Sequence, residues 1–287
     1  MIYDGPRAWR QANSRRVTFF GMSGLGKTHV CRMLRGQGPW FHYSVDYRIG
    51  TAYMGEHIAD ELKRAAMTVP YLAKLLRSDS IWIGSNMTFE NLEPLSAYLG
   101  QPGNPDRGGL PLDEYERRQE LHRRAEVNAL IDTPHFIERA VDLYGYDHFA
   151  CDTGGSTCEV VDPDDPRDPA LRALADNTLL VWIEGAPDHT QTLIDRFAAA
   201  PKPMCYRPEF LMAQWTAFTA AHGDDVVPDD FARHAYAAAI AERQPRYAAI
   251  ARNWGVTVPA ADVALARDAT DVIAMVEDAL GRHAAAA

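Results

Sequence analysis

No stretch of about 18 apolar residues occurs in the chain, which argues against a membrane-spanning helix. The opening residues, MIYDGPRAWRQANSRR, lack the apolar segment of a secretory leader, so a cytoplasmic location is expected. Cysteine is sparse: Cys31, Cys151, Cys158 and Cys205 lie far apart with no C-x-x-C pair. Buried thiols are therefore expected rather than disulfides or a zinc site. Positive charge is also in deficit, with 29 Lys and Arg against 39 Asp and Glu and a net charge of −10. That balance disfavours a general nucleic-acid footprint. No internal repeat or low-complexity tract is visible apart from the alanines at 284–287, expected to fray. What remains is 47% apolar and 24% charged, the composition of a chain that buries a substantial core.

The informative stretch is Val17–Arg35, VTFFGMSGLGKTHVCRMLR. A β-branched and aromatic run, Val17–Phe20, leads into Gly21, Met22, Ser23, Gly24, Leu25, Gly26, Lys27 and Thr28, and an apolar helix follows over Thr28–Leu34. This is G-x-x-x-x-G-K-[ST] in a strand-to-helix context. Glycines let the backbone turn its N–H groups around an anion, and the new helix adds its positive end. Lys27 is placed to reach the outer phosphates of ATP, and the Thr28 hydroxyl to ligate Mg²⁺. An ordinary glycine-rich turn is the alternative.

Gly36-Gln37-Gly38-Pro39 punctuates the first helix, and the polar lead-in is expected to pack Trp9 on the first strand. Trp40–Val45 reads as a second strand ending at Asp46, where a ligand lies if the sheet is parallel. A turn or helix cap is the alternative role for Asp46. From Thr51 to about Ala140 the pattern is helical, a long insertion expected to form a cap. It includes Glu56–Ala66, Tyr71–Arg77, Asn86–Leu99, a Pro/Gly loop at Gln101–Pro111 and a charged helix opened by Asp113. That helix reads as a solvated face, with one or two of Arg117, Arg118, Arg123 and Arg124 free to turn toward an anionic substrate. After a helix at Thr133–Tyr144, Asp147–Cys151 is a third strand ending at Asp152, the expected second Mg²⁺ support; a plain turn is the alternative. Thr178–Ile183 is a buried fourth strand, and Asp188 is expected to cap the helix that runs through Phe197. Residues 198–210 carry Lys202 and Arg207 in a proline-rich loop expected to be a lid. Helices over Glu209–His222 and Asp229–Trp254, a short strand at Gly255–Val258 and a helix at Asp271–His283 complete a single α/β domain over 1–287. The expected architecture is the three-layer P-loop NTPase fold, with a central parallel sheet of about five strands and the helical insertion over 51–140.

The order of these features resembles the shikimate kinase family. Asp46-Tyr47-Arg48-Ile49 is similar to the family's acid after strand two, and Thr153-Gly154-Gly155-Ser156 to its glycine triplet. Arg196 in TLIDRF, Arg207-Pro208 in the lid and Arg243-Gln244-Pro245-Arg246-Tyr247 fall where the family carries its adenine, lid and substrate arginines. The resemblance implies ATP-dependent phosphoryl transfer to a hydroxyl of a small, anionic molecule. Lys27, Asp46 and Arg207 would act in catalysis, and Asp46, Gly154, Gly155 and Arg243 would bind the acceptor. Arg196 would pack on adenine, and Thr28 and Asp152 would hold Mg²⁺. The departures are Ser44 in place of a second acid, Ser156 in place of a third glycine, the added Asp152 and the long insertion; together they point to an altered acceptor pocket. Three other readings stay open. One is a P-loop ATPase or switch whose insertion binds a partner protein. Another is a nucleoside or nucleotide kinase, with Trp40, Phe41, Tyr43, Tyr47 or Tyr53 stacking a base. The last is a degenerate kinase kept as a binding module.

Overall fold

In a computed structural model, which describes residues 1–286 without the side chains of Pro187, Asp188 and Ala286, five strands form one sheet. They are β1 (Arg16–Phe20), β2 (Trp40–Ser44), β3 (His148–Asp152), β4 (Leu179–Glu184) and β5 (Gly255–Pro259), in the order β2-β3-β1-β4-β5. Every neighbouring pair is parallel. Continuous apolar runs such as LLVWI suit strands covered on both faces, and Leu179–Ile183 are all buried. Register brings the carboxyl ends together: Phe19 faces Asp152 on one side of β3, and Ser44 faces Asp152 on the other. That is the edge at which open parallel sheets place their ligands.

The helices are α1 (Pro6–Gln11), α2 (Lys27–Gln37), α3 (Val45–Arg48), α4 (Gly55–Met67), α5 (Pro70–Arg77), α6 (Glu93–Leu99), α7 (Leu112–Ile131) and α8 (Thr133–Asp142). Beyond β3 come α9 (Thr157–Val160), α10 (Pro169–Ala175), α11 (Pro187–Ala199), α12 (Pro208–His222), α13 (Pro228–Trp254), α14 (Ala260–Leu265) and α15 (Ala269–Ala286). Among the described residues no helix is long and apolar enough to cross a membrane.

Several elements differ from expectation for local reasons. The first helix carries on through Gly36 and ends only where Gly38 turns extended, since a single interior glycine weakens a helix without breaking it. Trp9 sits in α1, shares the main buried core with Val17 and Phe19 of β1, packs edge-on against Tyr3 and donates its indole N–H to the Ile273 carbonyl of α15 at 3.0 Å. The helix expected over Asn86–Leu99 is confined to α6, because Thr88 and Asn91 close a polar turn on each other's backbone before it. The helix expected to be capped by Asp188 begins at Pro187, and that side chain lies outside the described residues. Helix α15 continues into the alanine tail as far as Ala286.

Nor is the whole of 51–140 a cap. Ala125, Ala129 and Leu130 of α7 and Ile137 and Ala140 of α8 belong to the main core, and the Tyr43 hydroxyl donates to the Ala129 carbonyl at 2.7 Å. A smaller core of Tyr115, Tyr206, Phe210, Leu211, Phe218 and Phe231 joins α7 to α12 and α13. All four cysteines are free and buried.

Candidate functional site

The glycine-rich loop over 21–26, the expected phosphate loop, joins β1 to α2. Gly26, at φ 95°, caps α2 in a left-handed conformation that favours glycine. The Lys27 ammonium is folded back into the loop, donating to the carbonyls of Gly21 at 2.8 Å and Met22 at 2.9 Å. Burial pushes its pKa down, and the charges of Asp46 and Asp152 offset part of that.

Asp152 ends β3 beside this loop. His42 Nε2 donates to its Oδ1 at 3.2 Å. Burial alone would raise its pKa, but the bonds from His42, Thr28 and Ser44 outweigh burial and hold it below the ordinary range. Thr28 and Asp152 are thus together, as a Mg²⁺ site built on a P-loop requires. Among the described residues no three His, Cys, Asp or Glu side chains form a metal cage.

Asp46 lies in the first turn of α3, one residue past the end expected for β2. Asp46 is half-buried, and the loss of water around its carboxyl, together with the nearby Asp152, pushes its pKa up to about 6 against the pull of Lys27. It stands against the turn after β3: a Cβ on Gly154 would lie 2.5 Å from Asp46 Oδ1 and 3.2 Å from Glu126 Oε1. A Cβ on Gly155 would lie 2.2 Å from Ser23 Oγ and 3.0 Å from the Ser23 nitrogen. Glycine is required here by close approach, since this turn touches the phosphate loop and Asp46 at once.

These pieces open into one cavity of about 550 Å³. Ser23, Gly24, Asp46, Gly155 and Ser156 form its polar side; Leu92, Leu95, Leu99, Phe197 and Met204 form much of its apolar side. Arg196 lines it from α11, with Nη1 3.8 Å from the position of a Cβ on Gly24. Lys202 lines it from the segment expected to be a lid.

No family model matches the sequence. No curated protein matches it either. Among solved structures it is similar to the shikimate kinase of Bacteroides thetaiotaomicron, at 14% identity and a TM-score of 0.36, covering 93% of this chain and 95% of that one.

Two of the expected site arginines are elsewhere. Arg243 is 0% exposed and does not line the cavity. Its Nε donates to Glu159 Oε1 at 2.6 Å, and its other nitrogens reach the carbonyls of Gly155 and Cys205. Burial would weaken its charge, and Glu159 outweighs that and raises its pKa. Tyr247, one helical turn on, donates to the same Gly155 carbonyl at 2.8 Å. Arg207 also falls outside the cavity wall, bridging Glu159 at 3.1 Å and Glu242. Arg118 does turn inward, but to Glu114, Glu61 and the Tyr98 carbonyl. The remainder of the residues expected in the loop and around the acceptor, Gly21–Thr28, Asp46, Gly154, Gly155 and Asp152, are brought together.

The sequence reading missed Glu126, His122 and Glu159. Glu126 is 0% exposed and accepts from Ser156 Oγ at 2.6 Å and Thr157 Oγ1 at 3.2 Å. Burial pushes its pKa up to about 7; the Ser156 bond opposes this and Asp46 adds to it. His122 lines the cavity, with Nδ1 3.0 Å from Cys205 Sγ, and burial pushes its pKa down to about 4. The available signal was spacing: Tyr115, Gln119, His122, Glu126 and Ala129 recur every three or four residues on the buried face of α7.

The Glu126 shift has a measurable sign. Its ordinary pKa of 4.5 rises to about 7, so between those values the folded state holds more protons than the unfolded one. Stability from this group is full at the acid end and is lost as pH rises through that window. Glu126→Gln removes the dependence that this carboxyl contributes. The stability of the wild type relative to the variant should therefore fall by on the order of 2 kcal/mol from the acid end of the window to the neutral end, read by urea unfolding. A pH-independent difference would mean that Glu126 titrates alike in the folded and unfolded states.

Proposed function

We propose that the protein transfers the γ-phosphoryl group of ATP to a hydroxyl of a small molecule held in the cavity beside the phosphate loop. One observation carries this reading: the half-buried Asp46 and the phosphate-loop residues Ser23 and Gly24 line the same chamber, so donor and acceptor ends share a site. The acceptor oxygen forms a bond to the γ-phosphorus, the bond to the β,γ-bridging oxygen breaks, and ADP leaves. The acceptor proton passes to Asp46. A carboxyl with a pKa of about 6 is ionised at neutral pH and is a stronger base than an exposed aspartate.

Lys27 would exchange the carbonyls of Gly21 and Met22 for phosphate oxygens, and backbone N–H groups of the loop would hold the β-phosphate. Thr28 and Asp152 would hold Mg²⁺, whose charge neutralises the phosphates as they separate. Arg196 lies beside Gly24, close enough to serve the nucleotide. Neither Arg207 nor Arg243 has a part in this scheme, because both guanidinium groups are already paired with Glu159.

The test follows the label from γ-labelled ATP. Label on an organic acceptor, with ADP formed in equal amount, supports transfer. Steady release of inorganic phosphate that no hydroxyl compound stimulates favours an ATPase instead.

A further inference from the structure

The expectation of an anionic acceptor rested on Arg243, and that side chain is consumed inside the protein. We infer that the acceptor is instead a hydroxyl compound with an apolar body and no anionic group, seated against Leu92, Leu95, Leu99 and Met204. This inference rests on the phosphoryl-transfer reading above.

The charges around the cavity are sorted by depth. Its two cationic lining residues, Arg196 and Lys202, are both exposed, and Arg196 stands beside Gly24 of the phosphate loop. The inner part offers the half-buried Asp46, the buried Glu126 behind Gly154, and the buried His122, which burial keeps neutral. Arginines of the surrounding elements already have carboxylates: Arg48 has Asp132 at 2.8 Å, Arg118 has Glu114 at 2.6 Å and Arg243 has Glu159 at 2.6 Å. A carboxylate carried into this part would lose its water and meet the charge of Asp46, while Lys27, the cation that offsets Asp46, is taken up by the phosphates in the transfer scheme. The leucine and methionine wall gives the opposite preference, since it takes the apolar body of a ligand out of water.

The experiment uses hydroxylated cyclohexane and benzyl carboxylic acids, each paired with its methyl ester. Binding to the full chain loaded with Mg²⁺ and ADP is measured by calorimetry, and phosphorylation by transfer from labelled ATP. Esters should exceed their acids about tenfold or more in affinity and in kcat/KM. Preference for the acids would overturn the inference and leave phosphoryl transfer standing. Failure of both members to bind would overturn it as well. Esters that bind yet never receive label, while ATP is hydrolysed, would overturn the transfer reading and the inference with it. Ser96→Arg places a cation in the half-buried α6 wall and should shift the preference toward the acids by about tenfold. An unchanged preference would place the acceptor elsewhere.

Discussion

Asp46→Asn is expected to lower acceptor-dependent phosphorylation about 10²–10⁴-fold, the usual worth of a positioned general base. Affinity for ATP should stay within about twofold, because the groups that would hold the phosphates, Lys27 and the loop N–H groups, remain in place and Asp46 acts on Lys27 only through its charge. Asparagine keeps the shape that fits against Gly154, where even a methyl group would come within 2.5 Å of Oδ1, so the variant removes a proton acceptor without opening a cavity. The wild type should also show a limb in kcat near pH 6, with activity falling as pH drops and Asp46 takes up a proton. That limb should be absent from the residual activity of the variant. A loss of only a few fold, with the pH limb intact, would leave Asp46 as a hydrogen-bonding residue and move the base elsewhere.

Arg243→Ala should act on the fold. Its guanidinium is 0% exposed and joins three parts of the chain: Glu159 of α9, the Gly155 carbonyl and the Cys205 carbonyl. Deleting one partner of a buried pair costs about 3–5 kcal/mol, since the other charge stays buried and uncompensated. Here Arg207 keeps a bond to Glu159 at 3.1 Å, which places the expected loss toward the lower end of that range. Arg207→Ala, by contrast, removes a partly exposed side chain and should cost about 1 kcal/mol or less. Urea unfolding of the two variants reads the difference directly. Equal stability of Arg243→Ala and wild type, with a raised KM for the acceptor alone, would return Arg243 to the binding role expected from its motif.

The contrast between Asp46 and Arg243 marks what was legible in the sequence. The phosphate loop could be read because all its parts are contiguous and its glycines have backbone duties that no other residue performs. The strands could be read because both faces of the sheet are covered, which forces unbroken apolar runs such as Thr178–Ile183. Asp46, Asp152 and Gly154-Gly155 followed because each comes at or just after a strand's end, and a parallel sheet gathers those ends. An arginine is different: its role depends on which carboxylate it meets. Glu159 sits in a four-residue helix with no periodicity to announce it, and it takes both Arg207 and Arg243 out of the site. Helix α7 hid its part for another reason. Its inward face carries Gln119, His122 and Glu126 among ion-paired neighbours, so a buried polar face looks like a solvated one.

The segment after α11 carries a consequence for how the chamber empties. Its Met204 carbonyl accepts from Tyr115 at 2.9 Å and Gln119 at 3.0 Å, the Tyr206 nitrogen donates to Gln119 at 2.9 Å, and Arg243 holds the Cys205 carbonyl. From Met204 onward the strip is sutured to α7 and α13, so any closure of the segment expected to be a lid would have to come from the residues before Met204.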